Sequence, residues 1–240
     1  MKRALVTGGS GALGQAICQE LALQDLHVIV HGNSHPGKAT EVVDRIIQAG
    51  GSAESVCFDV TDANTVGQAI NGLLQGGTIQ VLVNNAGIYD DGPMAGMTRE
   101  QWSRVVNVSL HGFFHVTQPL LLPMMGTRWG RIVTVSSIAG VIGHRGQTNY
   151  AAAKAGLHGA SKSLAHELAS RGVTVNVVAP GLVHSPMTDH VFDQKQIEAM
   201  VPMKRAGTPE EVAYLVGFLV SDKASYISGQ VINVNGGMVS

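Results

Sequence analysis

The chain has 240 residues, 45% of them hydrophobic and 14% charged, with a formal net charge of −1. That composition excludes a disordered chain, and a near-neutral balance without a basic stripe argues against a nucleic-acid binder. The two cysteines, Cys18 and Cys57, match no metal or redox spacing, so both are expected to pack as small apolar groups in a reducing cytoplasm.

The chain opens on a short apolar run at 3–7, which Gly8-Gly9-Ser10-Gly11 breaks before a helical pattern over 14–22. The run is too short for a signal peptide, and no apolar stretch reaches membrane-spanning length. Strand, glycine turn and helix in that order open a dinucleotide-binding fold, in which glycines let the backbone approach a pyrophosphate. A second strand over 27–31 leads into His31-Gly32-Asn33-Ser34. A carboxylate for the adenosine 2′-hydroxyl belongs there, and its absence favours the 2′-phosphorylated cofactor.

A helix is expected over 38–49, then a strand over 54–58 that Asp59 ends, and Asp62 is placed to cap the next helix. Ligand groups gather at strand ends of open α/β sheets, which marks Asp59 and, after a strand over 80–83, the pair Asn84-Asn85. That pair can equally serve neighbouring strands. Thr98-Arg99-Glu100-Gln101 reads as a capping box for a long helix, with Pro119 and Pro123 marking its frayed end. Asn107 sits awkwardly inside it. His111 and His115 share one of its faces without a third ligand nearby, so no metal is expected.

A strand over 131–135 runs into Ser136-Ser137, and a helix follows over about 149–170. Tyr150 and Lys154 stand one turn apart on that helix, where a phenol beside an ammonium can exchange a proton near neutral pH. The helix begins with small side chains, which suit a subunit contact. After a strand over 173–178 the stretch 182–207 mixes Met, Pro, His and charges without a strand pattern and reads as a substrate lid. Thr208-Pro209-Glu210-Glu211 restarts a helix, and a last strand covers 230–234. With no repeat and no linker, residues 1–240 read as a single Rossmann-type doubly wound α/β domain of about seven parallel strands.

Taken together, Thr7-Gly8…Gly14, Asp59, Asn84-Asn85-Ala86-Gly87, Asn107, Ser137, Tyr150-x-x-x-Lys154 and Pro180-Gly181 resemble the classical short-chain dehydrogenase/reductases over the whole chain. The stretches 146–157, 175–181 and 234–238 are most similar to the 3-oxoacyl-acyl-carrier-protein reductases. The resemblance implies NADPH-dependent reduction of a 3-oxoacyl thioester, with a coenzyme A thioester or another small ketone or alcohol as the alternative substrate. A non-catalytic dinucleotide-binding protein is the remaining alternative, disfavoured by the intact proton-relay set. In that resemblance Tyr150 is the general acid, Ser137 (rather than Ser136) places the ketone oxygen, Lys154 holds the ribose and depresses the tyrosine pKa, and Asn107 holds a relay water through a local backbone irregularity. The implied cofactor contacts are Thr7, Gly8, Gly9, Ser10, Gly11, Ala12, Leu13 and Gly14; Asn33 and Ser34; Asp59 and Val60; Asn85, Ala86 and Gly87; Tyr150 and Lys154; and Pro180, Gly181, Val183 and Ser185. Three positions depart from the pattern: Ala12 replaces a glycine, Gly11 an arginine that reaches the 2′-phosphate, and Ser185 a threonine. The resemblance further implies an acyl carrier protein docked on Arg128 and Arg171, a homotetramer, and a cytoplasmic location.

Overall fold

The computed structural model describes residues 1–34, 36–185 and 193–239. Seven strands, β1 (Lys2–Val6), β2 (Leu26–Gly32), β3 (Ser52–Cys57), β4 (Ile79–Asn84), β5 (Gly130–Val135), β6 (Val173–Pro180) and β7 (Val231–Val234), form one sheet in the order β3-β2-β1-β4-β5-β6-β7. Every pairing is parallel. The helices are α1 (Ala12–Ala22), α2 (Pro36–Gln48), α3 (Ala63–Gln75), α4 (Arg99–Val106), α5 (Gly112–Gly126), α6 (Ala139–Ile142), α7 (Thr148–Leu168), α8 (Gln194–Met200) and α9 (Pro209–Val220). No described helix is long and apolar enough to cross a membrane.

The strands are apolar on both faces because helices cover both. Alternate residues separate cleanly. Ala4, Val6, Val81 and Val83 pack in one core with α1, α2 and α9, while Leu5, Leu82 and Ile132 pack in the other with α3, α5 and α7. The chain reverses its direction of travel across the sheet between β1 and β4. The ends of those two strands therefore part to leave the crevice in which open α/β sheets bind ligands. The glycine turn follows β1 there, and Asn85-Ala86-Gly87 follows β4.

Several local expectations hold. Asp62 caps α3 by accepting from Asn64 N and Thr65 N, and both threonine capping boxes are formed, Thr98 with Gln101 and Thr208 with Glu211. Others do not. The helix beginning at Arg99 is broken by a π-helical turn over Asn107–His111. Pro119 and Pro123 lie inside α5, which continues to Gly126. Each interior proline costs about 3 kcal/mol, whereas burying Val116, Leu120 and Met124 on the same helix stabilises by roughly 2 kcal/mol apiece. Tertiary packing thus holds the helix through its prolines.

The stretch 182–207 is not wholly irregular. It contains α8, started by an Asp193–Gln196 capping box, while residues 186–192 of the expected lid lie outside the described residues. Strand β3 stops at Cys57, so Asp59 lies past its end. Cys18 is buried but Cys57 is exposed, because it sits at the end of the edge strand, where its thiol donates to Asn33 O (2.6 Å).

Candidate active site

The glycine turn is shaped by close backbone approach. Gly8 has a left-handed φ of +63°, and a Cβ on Gly14 would collide with Gly8 O and come within 2.8 Å of Gly9 Cα. Gly11 N donates back to Gly8 O (3.1 Å), and Gly11 begins α1 without a side-chain cap. The first-turn amides of Ala12, Leu13 and Gly14 therefore face outward, where an anion is favoured. A cradle that a single Cβ would fill, opening a helix of 11 residues, fits the pyrophosphate of a dinucleotide. Ala12, the departure from the glycine pattern, is accommodated as the first residue of that helix.

Thr7 and Asn85 hold this turn to β4. Thr7 Oγ1 accepts from Asn85 N (3.0 Å) and Ala86 N (3.0 Å), while Asn85 Nδ2 donates to Thr7 O (2.9 Å) and Gly8 O (3.1 Å). Asn84 turns the other way and donates to Thr117 Oγ1 (3.0 Å). Of the two readings of the asparagine pair, service to neighbouring chain segments is the one these bonds describe. A Cβ on Gly87 would lie 3.1 Å from Lys154 Nζ, so the end of this segment reaches the catalytic helix. At the end of β2, Asn33 and Ser34 are exposed with no carboxylate between them. Asp59 is also exposed and accepts from Thr61 N and Thr61 Oγ1 (both 2.8 Å); Val60 is buried behind it.

Ser137, Tyr150 and Lys154 come together at the carboxyl end of β5. Ser137 lies close enough to the Tyr150 hydroxyl to act on its pKa and accepts from Ala139 N (3.2 Å). Ser136 is engaged elsewhere: its Oγ donates to Lys154 O (3.1 Å) and lies 2.7 Å from His158 Nε2. Lys154 is buried, donates to Val135 O (2.9 Å) and has Nζ 5.6 Å from the Tyr150 ring centroid. A Cβ on Gly140 would come within 2.8 Å of the Lys154 backbone, which lets α6 lie directly against α7.

Burial dominates the electrostatics of the pair. Burial raises the Tyr150 pKa, the nearby Ser137 hydroxyl opposes this, and the charge of Asp91 adds to the rise. Lys154 is shifted as well. Its own pKa is lowered to about 8 because the ammonium is buried. In the chain by itself Tyr150 is thus a protonated phenol at neutral pH, ready to donate.

Asn107 opens the π-helical turn, in which Gly112 N donates to Asn107 O. The irregularity has a steric setting, since a Cβ on Gly112 would press on Val60 and one on Gly156 of α7 on Leu110. Pro180 O accepts from Ile138 N (2.8 Å) and Gly181 N donates to Val234 O (2.8 Å), closing the site's β6 side. Val183 bridges to Gly207, and Ser185 is the last residue described before 193. His115 Nδ1 bonds Val60 O (2.9 Å), as a satisfied rather than a metal-binding histidine. No group of three metal-ligating side chains occurs among the described residues.

Arg128 lies against the segment that carries Arg171, its Nη2 donating to Ser170 O (3.4 Å). They precede β5 and β6, however, and so lie at the opposite end of these strands from Ser137 and Tyr150, about 20 Å away along six strand residues.

Two contributors were not legible as such. Asn149 is fully buried and donates to Asp90 O (2.9 Å) and Gln101 O (3.3 Å) while its Oδ1 accepts from Tyr150 N (2.8 Å). It stands next to Tyr150 in the motif, but only the fold reveals what it holds. Asp91, which accepts from Gln147 Nε2 (2.8 Å), acts on Tyr150 across the fold and carries no local signal.

A family model described as enoyl-(acyl carrier protein) reductase matches residues 9–239. The chain is 42% identical over 240 residues to the 3-oxoacyl-(acyl-carrier-protein) reductase of Staphylococcus aureus, covering 99% of this chain and 98% of that one. It is 42% identical over 240 residues to the reductase of the same name from Escherichia coli, covering 99% and 97%. The reductase of that name from Aggregatibacter actinomycetemcomitans is 41% identical over 236 residues, covering 98% of each chain.

Proposed function

Because the chain belongs to the short-chain dehydrogenase/reductase family, we propose that it reduces a 3-oxoacyl thioester carried on an acyl carrier protein to the 3-hydroxyacyl thioester, with NADPH as reductant. The observation that carries this reading is the protonated Tyr150 phenol close to Ser137 and beside the buried Lys154. A ketone oxygen that gains negative charge needs a donor aimed at it, and two hydroxyls at one point supply placement and a proton. That pair suits a carbonyl rather than a carbon–carbon double bond, in keeping with the 3-oxoacyl reductases among the relatives and not with the enoyl label of the family model.

The nicotinamide supplies the hydride when bound. Thr7 to Gly14 with Asn85, Ala86 and Gly87 hold the pyrophosphate side, Asn33, Ser34, Asp59 and Val60 the adenosine side, and Pro180, Gly181, Val183 and Ser185 the nicotinamide side. Ser137 positions the ketone oxygen, and Tyr150 gives it a proton. Lys154 binds the ribose hydroxyls with its ammonium, and Asn107 holds a water that resupplies the proton. The 2′-phosphate preference rests on the missing carboxylate at 31–34. Residues 182–207 act as the substrate lid, Arg128 and Arg171 receive the acidic carrier, and the small-sided face of α7 joins copies into a tetramer in the cytoplasm. With the arginines at the far end of β5, the carrier's arm must reach along the molecule, or the pair serves the site of a neighbouring copy.

The deciding experiment measures steady-state reduction of acetoacetyl groups on carrier protein and on coenzyme A, each with NADPH and NADH. The expected outcome is a higher kcat/KM for the carrier-bound substrate with NADPH. Absence of ketone reduction on both carriers would overturn the reading.

A further inference from the structure

His31 is a buried histidine whose two ring nitrogens have fixed and opposite roles. Nδ1 lies 3.0 Å from Gly8 N, and Nε2 lies 2.8 Å from Phe58 O. A peptide N–H can only donate and a carbonyl can only accept. Nδ1 must therefore offer a lone pair to Gly8 and Nε2 a proton to Phe58, which defines one neutral tautomer. The ring is 1% exposed and packs on the Phe58 ring at 4.1 Å between centroids. Water cannot replace either partner.

Gly8 is the pivot of the dinucleotide cradle. Its φ is left-handed, its carbonyl receives Gly11 N and Asn85 Nδ2, and Gly14 has no Cβ because of it. Phe58 leads directly into Asp59 and Val60 on the adenosine side. His31 thus bridges the two halves of the cradle through a single ring. An imidazolium would carry protons on both nitrogens and set one N–H against the Gly8 N–H at 3.0 Å, breaking the bridge at the pyrophosphate turn.

We propose that His31 is a positioning residue for the dinucleotide, and that its protonation releases the Gly8 turn and weakens cofactor binding in mildly acidic solution. The inference rests on the dinucleotide reading of the site. Burial lowers the His31 pKa below 6.5, opposed by the Phe58 hydrogen bond and the charge of Asp59. Among the described residues Asp59 is the ionisable side chain that acts on it from the neighbouring loop. Beneath the same turn Cys18, on α1, is held neutral by burial. Lys154 changes charge near pH 8, and His158, which lies against Ser136 on α7, is the second imidazole near the site, so the His31 variants are what separate the two.

The test is a fluorescence titration of NADH and NADPH binding to the whole protein between pH 5.0 and 7.5, without substrate. NADH has no 2′-phosphate, whose own titration near pH ~6 would add a slope to the NADPH series. For the natural chain the NADH dissociation constant is expected to rise toward pH 5.0, within the one-proton limit of roughly tenfold per pH unit. In His31→Asn an amide oxygen stands near the Nδ1 position and does not titrate. Whatever its affinity at pH 7.5, its dissociation constant is expected to change by less than about twofold over the range. His31→Gln, with the same donor and acceptor on a longer arm, serves if the first variant does not fold. A flat profile for the natural chain, or an equal rise in the variant, overturns the assignment of His31. Failure of both dinucleotides to bind at pH 7.5 overturns the dinucleotide reading and this inference with it.

Discussion

Lys154 shows how far a single residue's chemistry departs from its motif. Its four-residue spacing from Tyr150 was legible, because helical periodicity is local. The direction of the tyrosine shift was not, because burial and the reach of Asp91 are properties of the fold. The folded-state pKa of Lys154, about 8, lies below its ordinary 10.5. Between these values the unfolded chain binds more protons, so stability rises with pH across that window and the ionised lysine is a burden below it. The burden is about 3 kcal/mol at neutral pH. Lys154→Met is therefore expected to raise the Tm of the cofactor-free protein at pH 7 and to weaken cofactor binding, with the Tm gain shrinking between pH 8 and 10.5; melting curves across that range check it. Tyr150→Phe retains the ring and removes the proton. Turnover should fall by at least about 100-fold, the scale of one general acid, while cofactor titration still shows binding. Near-normal activity would remove Tyr150 from the mechanism.

At the level of elements, starts of helices read well and continuities poorly. Thr98 and Thr208 announce their helices by side chains within four residues of the cap. The Asp193–Gln196 box uses the same chemistry, but it is embedded in a stretch whose composition hides it. The prolines in α5 and the π-helical turn before it answer to partners far off in sequence, Val60 and α7 among them. Asn149 is the clearest case of an element placed by one side chain, since it fastens the first turn of α7 to Asp90 O and Gln101 O. Asn149→Ala should let that turn shift and move the Tyr150 hydroxyl from the substrate. We expect kcat to drop by about 10- to 100-fold with the cofactor dissociation constant little changed. Parallel loss of cofactor affinity would show a wider role for Asn149 than placing the acid.

For the whole molecule, the number and sense of the strands were legible from alternating strand and helix patterns, and their order was not, because strand neighbours are long-range partners. Only the order puts the end of β4 beside the glycine turn, whereas Arg128 and Arg171 lie at the other end of the sheet because they precede β5 and β6. Reversing both arginines to glutamate should slow reduction of carrier-bound substrate about tenfold and leave a short coenzyme A thioester nearly unaffected; equal losses would refute docking there. The same architecture has a consequence for exchange between relatives. Serine, acid and lysine all hang on one run from Gly130 to Leu168, fastened to itself by Lys154 on Val135 and by Ser136 on Lys154. Recombination breakpoints outside that run would carry Ser137, Tyr150 and Lys154 across together, with Asn107 and Asp91 left to the rest of the chain. Substrate range could then diversify in the remainder of the chain without dismantling the acid.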